Sequence, residues 1–283
     1  MLRYWWVLPG GLAVVGYLLS FAGVTRAQRA QWVNGRIVDL ESPGHGDSKD
    51  GGIPVTVAFR DPGSGRELRL SNTGGKHGFP LRAAWIGREV AVHYPKGRPE
   101  KFRIALDDSD RDGRGFPLLM LVILLVGLVI HAGIAWGYEW AIVGTGVLAI
   151  LIGLFGRDAH FARIRGNLLA DAVAVPARVV AVTTDVHTDG EGSEIINHAP
   201  VVAFTTTDAR AVLVQPLDHF PNPGQSLGRE FTLHYARTDP TVYTLDLDYD
   251  REDRRKTTRY TTWPLAFGLA AITTAAVLLW RST

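Results

Sequence analysis

The sequence predicts a membrane α-helical protein with four transmembrane helices, plus two small all-β barrel-like domains, OB- or SH3-like, of about five strands each. Three observations predict it. The 283-residue chain is 46% hydrophobic and 20% charged, yet its apolar residues gather in four blocks. Between the blocks, apolar and polar residues alternate and turn residues punctuate them. One eight-residue strand pattern also occurs twice, 141 positions apart.

The blocks are Tyr4–Val24, Phe116–Trp136, Tyr138–Phe155 and Trp263–Trp280. At 1.5 Å per residue, about 18–21 residues span roughly 27–31 Å, the depth of a hydrocarbon core. They hold no Lys or Arg, and His131 is the ionisable group of note inside them. Lipid offers the backbone no hydrogen bonds, so spanning segments fold as helices. Only Gly137 separates the second and third, which makes them an antiparallel hairpin. The termini and the Gly137 turn then share one side of the membrane, and residues 25–115 and 156–262 share the other.

Fifteen Lys and Arg residues flank the helices on the domain side, among them Arg26, Arg29, Arg111, Arg114, Arg157, Arg251 and Arg259; Arg3 and Arg281 lie opposite. The positive-inside rule therefore places both β domains in the cytoplasm of a multi-pass cell-membrane protein, with the termini extracytoplasmic. Trp5, Trp6, Trp136, Trp140 and Trp280 gather at the outer interface as an aromatic belt. The rival reading of the first block is a signal peptide, which would put the domains outside. The run is long for that, and Arg26 and Arg29 stand where a small-residue cleavage site belongs.

Gly87-Arg88-Glu89-Val90-Ala91-Val92-His93-Tyr94 aligns with Gly228-Arg229-Glu230-Phe231-Thr232-Leu233-His234-Tyr235, identical at five of eight positions. Upstream, Val57-Ala58-Phe59 matches Val202-Ala203-Phe204, and Arg36-Ile37-Val38 matches Arg178-Val179-Val180. The chain thus reads as a duplicated unit of membrane helix, β domain and membrane helix. The expected strands of the first domain (25–115) are Trp32–Leu40, Val55–Phe59, Glu67–Leu70, Glu89–Tyr94 and Phe102–Ala105. Those of the second (156–262) are Ala177–Val186, Val201–Thr205, Ala211–Val214, Glu230–Tyr235 and Val242–Leu247. Asp61-Pro62-Gly63-Ser64-Gly65 is turn chemistry between strands two and three. The polar stretches Glu41–Gly52 and His187–Ala199 are expected as long mobile loops.

The repeated Arg-Val-Val, Pro-Val-x-x-Phe and Gly-Arg-Glu-x-x-x-x-Tyr strands, each beside membrane helices, resemble the bacterial family called domain of unknown function 3592. The resemblance covers both β domains. In that family an acidic residue and a proline follow the tyrosine, whereas here Tyr94 precedes Pro95 and Tyr235 precedes Ala236-Arg237. It implies a small β domain in a membrane protein and carries over no catalytic residue.

Chemistry is sparsely signalled. The absence of cysteine excludes a disulfide framework, a thiol nucleophile and Cys-type metal sites. The net charge of +2 gives no warrant for a nucleic-acid binder, and no aromatic stacking platform interleaves with basic residues. Asp108, Asp110 and Asp112 fit the first half of a calcium loop, but position 12 is Leu119 rather than Glu. Asp185, His187 and His198 crowd one expected loop and offer ligand types for zinc or manganese. Gly46-Asp47-Ser48 is similar to an esterase nucleophile block without an evident base, and Gly74-Gly75-Lys76-His77 fails the phosphate-loop spacing. His93 and His234 recur as a pair, with support of an adjacent loop as their expected role.

The function expected is non-enzymatic: a module held in the lipid bilayer for interaction or scaffolding, with a protein partner, open to homo-oligomerisation, and with no catalytic residue or cofactor. The alternatives are a metal- or pH-responsive membrane sensor and an accessory subunit of a transport system. Gly16/Ser20, Ala149/Gly153, Ala266/Ala270 and Ala271/Ala275 are spaced for close helix packing.

Overall fold

The computed structural model describes residues 6–23, 26–48, 52–72, 81–105, 115–155, 158–188, 194–216 and 220–282. They form two compact units, a helical one (Met1–Gln28, Asp112–Gly166, Asp248–Thr283) and a β one (Arg29–Arg111, Asn167–Leu247).

The helical elements are α1 (Val7–Phe21), α2 (Arg26–Arg29), α3 (Gly115–Trp136), α4 (Tyr138–Phe155), α5 (Asp158–Leu168) and α6 (Leu247–Ser282). Three stretches are long and apolar enough to cross a membrane by length and composition: Phe116–Trp136, Tyr138–Leu168 and Leu247–Arg281. The fourth expected span is shorter among the described residues, since α1 has 15 residues. The last helix is longer than its apolar block, with 36 residues beginning at Leu247 instead of Trp263. Its charged first half holds itself together by pairs one turn apart, Asp248–Arg251, Asp250–Arg254 and Glu252–Lys256. Glu139 stands in the first turn of α4, where the helix dipole favours a carboxylate; the apolar-block reading passes over it.

Glycine sets the closest helix contact. A Cβ on Gly268 of α6 would lie 2.6 Å from the Gly146 carbonyl oxygen of α4, and one on Gly146 would lie 2.9 Å from the Gly268 oxygen. Gly153 faces Leu265 in the same way, and Gly16 brings α1 against Pro117 of α3. Of the small residues expected at such contacts, Gly16, Gly153 and Ala271 are so used and Ser20 and Ala275 are buried, while Gly146 and Gly268 lie outside that set. Large apolar side chains on these helices remain uncovered, including Leu8, Phe21, Ile134, Leu154 and Leu269. So much apolar helix surface suits lipid rather than water.

The β unit contains β1 (Gln31–Leu40), β2 (Val55–Arg60), β3 (Glu67–Ser71), β4 (Ala83–Trp85), β5 (Glu89–Tyr94), β6 (Arg103–Ala105), β7 (Val173–Thr188), β8 (Glu194–Thr205), β9 (Ala211–Val214), β10 (Glu230–Ala236) and β11 (Asp239–Thr244). The first sheet runs β3-β2-β1-β5-β6, the second β11-β10-β7-β8-β9-β4. Apart from β4 the two orders coincide. Equivalent residues also meet: Arg36 opposes Glu89 and Arg178 opposes Glu230. A bulge interrupts β1 after Ile37 and β7 after Val179. Phe59 meets Tyr94 at 5.5 Å, and Phe204 meets Tyr235 at 5.5 Å.

The second sheet's end strands, β11 and β4, approach one another, so this sheet is nearly closed into a six-stranded barrel. Two separate five-stranded barrels are therefore not what forms. β4 belongs to the first half of the sequence but pairs antiparallel with β9 of the second, Ala83 opposite Val214, Ala84 opposite Leu213 and Trp85 opposite Val212. Strand alternation then serves both cores. Ala83, Val212 and Val214 enter the core of the second half, while Ala84 and Leu213 enter that of the first, beside Ile37, Val57, Val92 and Tyr94. A strand buried on both faces reads as an unbroken apolar run, which is what Ala211–Val214 is.

The expected loops are also structured where they are described. β7 and β8 continue their ladder to Thr188 opposite Glu194, so most of His187–Ala199 is strand. The Glu41–Gly52 stretch docks on β7: Gly46 N donates to Val182 O at 2.8 Å and Thr184 N donates to Asp47 O at 2.8 Å.

Candidate functional site

The two sheets differ most at one edge. In the second, β4 covers the outer side of β9. In the first, β3 occupies the position of β9 and, among the described residues, pairs only with β2. The segment of the second half that corresponds to β4, Gly224–Ser226, cannot supply the missing strand. It follows Pro221, Asn222 at φ +50° and Pro223, and folds into a 3-10 turn over Pro223–Gln225. Proline removes amide donors and fixes φ, which ends a ladder.

Arg66, Leu68 and Leu70 are in phase with the bonds to β2, as Asp61 N donating to Arg66 O and Asn72 N donating to Val55 O show. Alternation turns the main-chain groups of Glu67 and Arg69 to the side away from β2. Next to this edge, on the outer face of β1 and β2, lies a groove of about 600 Å³ lined by Asn34, Arg36, Arg60, Glu67 and Glu89.

The repeated Gly-Arg-Glu-x-x-x-x-Tyr pattern proves to be scaffolding for this face. Gly87 and Gly228 adopt φ of +94° and +77°, which favours glycine in the turn before the strand. Ile37 N donates to Arg88 O and Val179 N donates to Arg229 O, both at 2.9 Å. The tyrosine hydroxyls then hold the next turn in each half. Tyr94 Oη donates to Asp61 Oδ1 at 2.8 Å, and Thr207 N donates to Tyr235 Oη at 2.9 Å. Hydrogen bonds from Ser64, Tyr94 and the Gly63 amide hold the Asp61 carboxyl down at about 2. Burial, followed by its bond to Asp61, pushes Tyr94 up to about 12. Burial also lowers the Arg88 pKa, against the opposing pull of Asp239.

Of the candidate metal ligands, Asp108, Asp110 and Asp112 lie outside the described residues, as does Gly74–His77. Asp185 lies opposite Asn197, and His198 opposite Thr184 one pair away, so strand alternation sends Asp185 and His198 to opposite faces. His187 opposes Ile195 on β7, and its side chain lies outside the description. Asp185 Oδ1 accepts from Ser48 Oγ at 3.1 Å, which makes the Gly46–Ser48 stretch a clasp on β7. No group of three potential ligands gathers among the described residues. His93 stacks on Trp32 at 4.6 Å.

Within the helical unit, α5 and the first half of α6 flank a second groove, open to one side, of about 500 Å³. Arg251, Arg254, Arg255, Thr258 and Arg259 line it from α6, and Arg163 with two alanines from α5. The α6 residues follow the i, i+3, i+4, i+7, i+8 spacing of one helix face. The basic run Arg251–Arg259 is visible in sequence, but its convergence with Arg163 needs α5, which was not expected. Asp250, nearly buried, ties the two helices: its carboxylate accepts from Arg165 Nε and Arg254 Nε, each at 2.7 Å.

No family model, no curated protein and no solved structure matches this chain.

Proposed function

We propose that this protein is a non-enzymatic, multi-pass membrane scaffold whose fused β unit, on the cytoplasmic side, receives an extended segment of a partner protein along β3. The open β3 edge carries this reading, because the equivalent β9 edge is shown to accept a strand, β4. An added strand bonds through main-chain groups and is selected by the side chains beside it. Here those are the mixed charges of the groove: Arg36, Arg60, Glu67 and Glu89.

Buried polar groups of the β unit are spent on holding backbone and one another, in keeping with a binding platform. Asn72 accepts from Val55 N and donates to Ile53 O, Thr183 donates to Ala199 O, and Gln215 donates to Thr183. The matching strand orders, bulges and tyrosine contacts support descent of the two halves from one duplicated unit, and with it kinship to the family of the repeated motif. The Lys and Arg bias supports the cytoplasmic placement.

A photo-activatable residue placed at Glu67 of the full-length protein in its membrane tests the proposal. Irradiation yields one discrete higher-mass adduct, and a residue at exposed Arg210 yields none. Adding Arg69→Pro, which deletes an edge donor but no bond to β2, abolishes the adduct. No adduct from Glu67, or one indifferent to Arg69→Pro, overturns the proposal.

A further inference from the structure

We infer that the groove between α5 and α6 binds the phosphate of an anionic lipid headgroup. Five arginines on two helices turn toward a shared space, and two alanines, Ala159 and Ala162, keep the α5 wall low. Two of the arginines are held in place by carboxylates. Arg254 spends its Nε on Asp250, and Arg251 pairs with Asp248 at 2.9 Å. Arg163, Arg255 and Arg259 have no acidic partner among the described residues. Guanidinium donors around an otherwise empty volume match the oxygens of a phosphate, which they bind in pairs of parallel hydrogen bonds.

Position favours a lipid over a soluble anion as the source. Arg259 lies one helical turn before Trp263, with which the apolar part of α6 begins, and Tyr260 and Trp263 are both strongly exposed. An aromatic pair at the start of an apolar helix marks the headgroup level. Arg259 lies about 6 Å along the helix from that level, inside the reach of a long side chain, and the rest of the arginine face continues from it toward the water side. Glu252 pairs with Lys256 away from the groove, and Asp248 and Asp250 offset only two of its five arginines, so the groove side keeps an excess of cations.

The test uses full-length protein in a neutral detergent, observed by native mass spectrometry. Phosphatidylglycerol, phosphatidylcholine and inorganic phosphate are titrated separately. The wild type is expected to hold one phosphatidylglycerol far more tightly than phosphatidylcholine. The triple variant Arg163→Gln, Arg255→Gln, Arg259→Gln weakens that binding about a hundredfold, from the usual worth of three juxtamembrane charges. Lysine at the same three positions keeps the charge but not the paired hydrogen bonds and recovers part of it, which separates lost charge from lost fold. Arg210→Gln changes nothing. If inorganic phosphate binds with the same arginine dependence and displaces the lipid, the phosphate chemistry stands and its source is soluble. Equal retention of both lipids, or a lipid adduct untouched by the triple variant, overturns the inference.

Discussion

Leu213 belongs by sequence to the second half of the chain, yet its side chain sits in the core of the first. Leu213→Ala therefore removes apolar volume from a wall that both halves share. Leucine-to-alanine changes in cores cost about 2–5 kcal/mol, more where the site cannot collapse. Collapse is limited here, since β9 is bonded to β8 on one side and to β4 on the other, and the facing residue is only Ala84. About 3–4 kcal/mol follows, or roughly two to three powers of ten in the opening equilibrium. Native-state hydrogen exchange on the full-length protein reads this segment by segment. Amides of β1 and β5 should lose protection by the same factor as those of β7 and β10. Undiminished protection in β1, β2 and β5, with loss confined to β7–β10, would refute the shared wall.

Gly268→Val drives a branched side chain into the Gly146 carbonyl and should detach α6 from α4, lowering the thermal midpoint of the detergent-solubilised protein by several degrees; Leu269→Val, at the exposed neighbouring position, is the comparison. The Tyr94–Asp61 bond gives the β2–β3 turn two pH limits. Asp61 is held at about 2 in the fold, so its contribution is full above its ordinary range near 4 and vanishes as pH falls through 2. Tyr94 is raised to about 12, so its contribution is full below 10 and is lost between 10 and 12. Exchange at Gly63–Arg66 should rise in both windows, and Tyr94→Phe should remove the alkaline one. Asp250→Ala strands Arg165 and Arg254 at the α5–α6 contact and should cost about 1–3 kcal/mol, read as early loss of α5 protection; asparagine there recovers part of it.

The parts of the fold visible in the sequence are those set by local pattern. Unbroken apolar runs gave the helices, and alternation at Val55, Val57, Phe59 and at Val90, Val92, Tyr94 gave strands that are buried on that face. What escaped was set by distant partners. β4 is three residues long and pairs with a strand more than a hundred positions away, so nothing local marks it. The outer end of the β7–β8 arm, within His187–Ala199, reads as loop because polar residues crowd it, whereas Ala177–Val186 reads as strand; only the ladder carries β7 to Thr188 and opens β8 at Glu194. The first half of α6 has no apolar stripe; charge pairs at helical spacing held the only clue. The same limits apply to the sites. The arginines were visible as a run but not as a face, and the open β3 edge exists only by comparison with β9.

Because the chain lacks cysteine, a designed pair reports without background. Cysteines at Ala83 and Val214, which face each other across β4 and β9, test whether the two halves share one sheet. Mild oxidation of the full-length protein in its membrane should give a rapid intramolecular disulfide, while the mispaired set Ala83 and Val202 stays reduced. No disulfide, or one that joins two chains, would mean that β4 does not close this sheet within a single molecule.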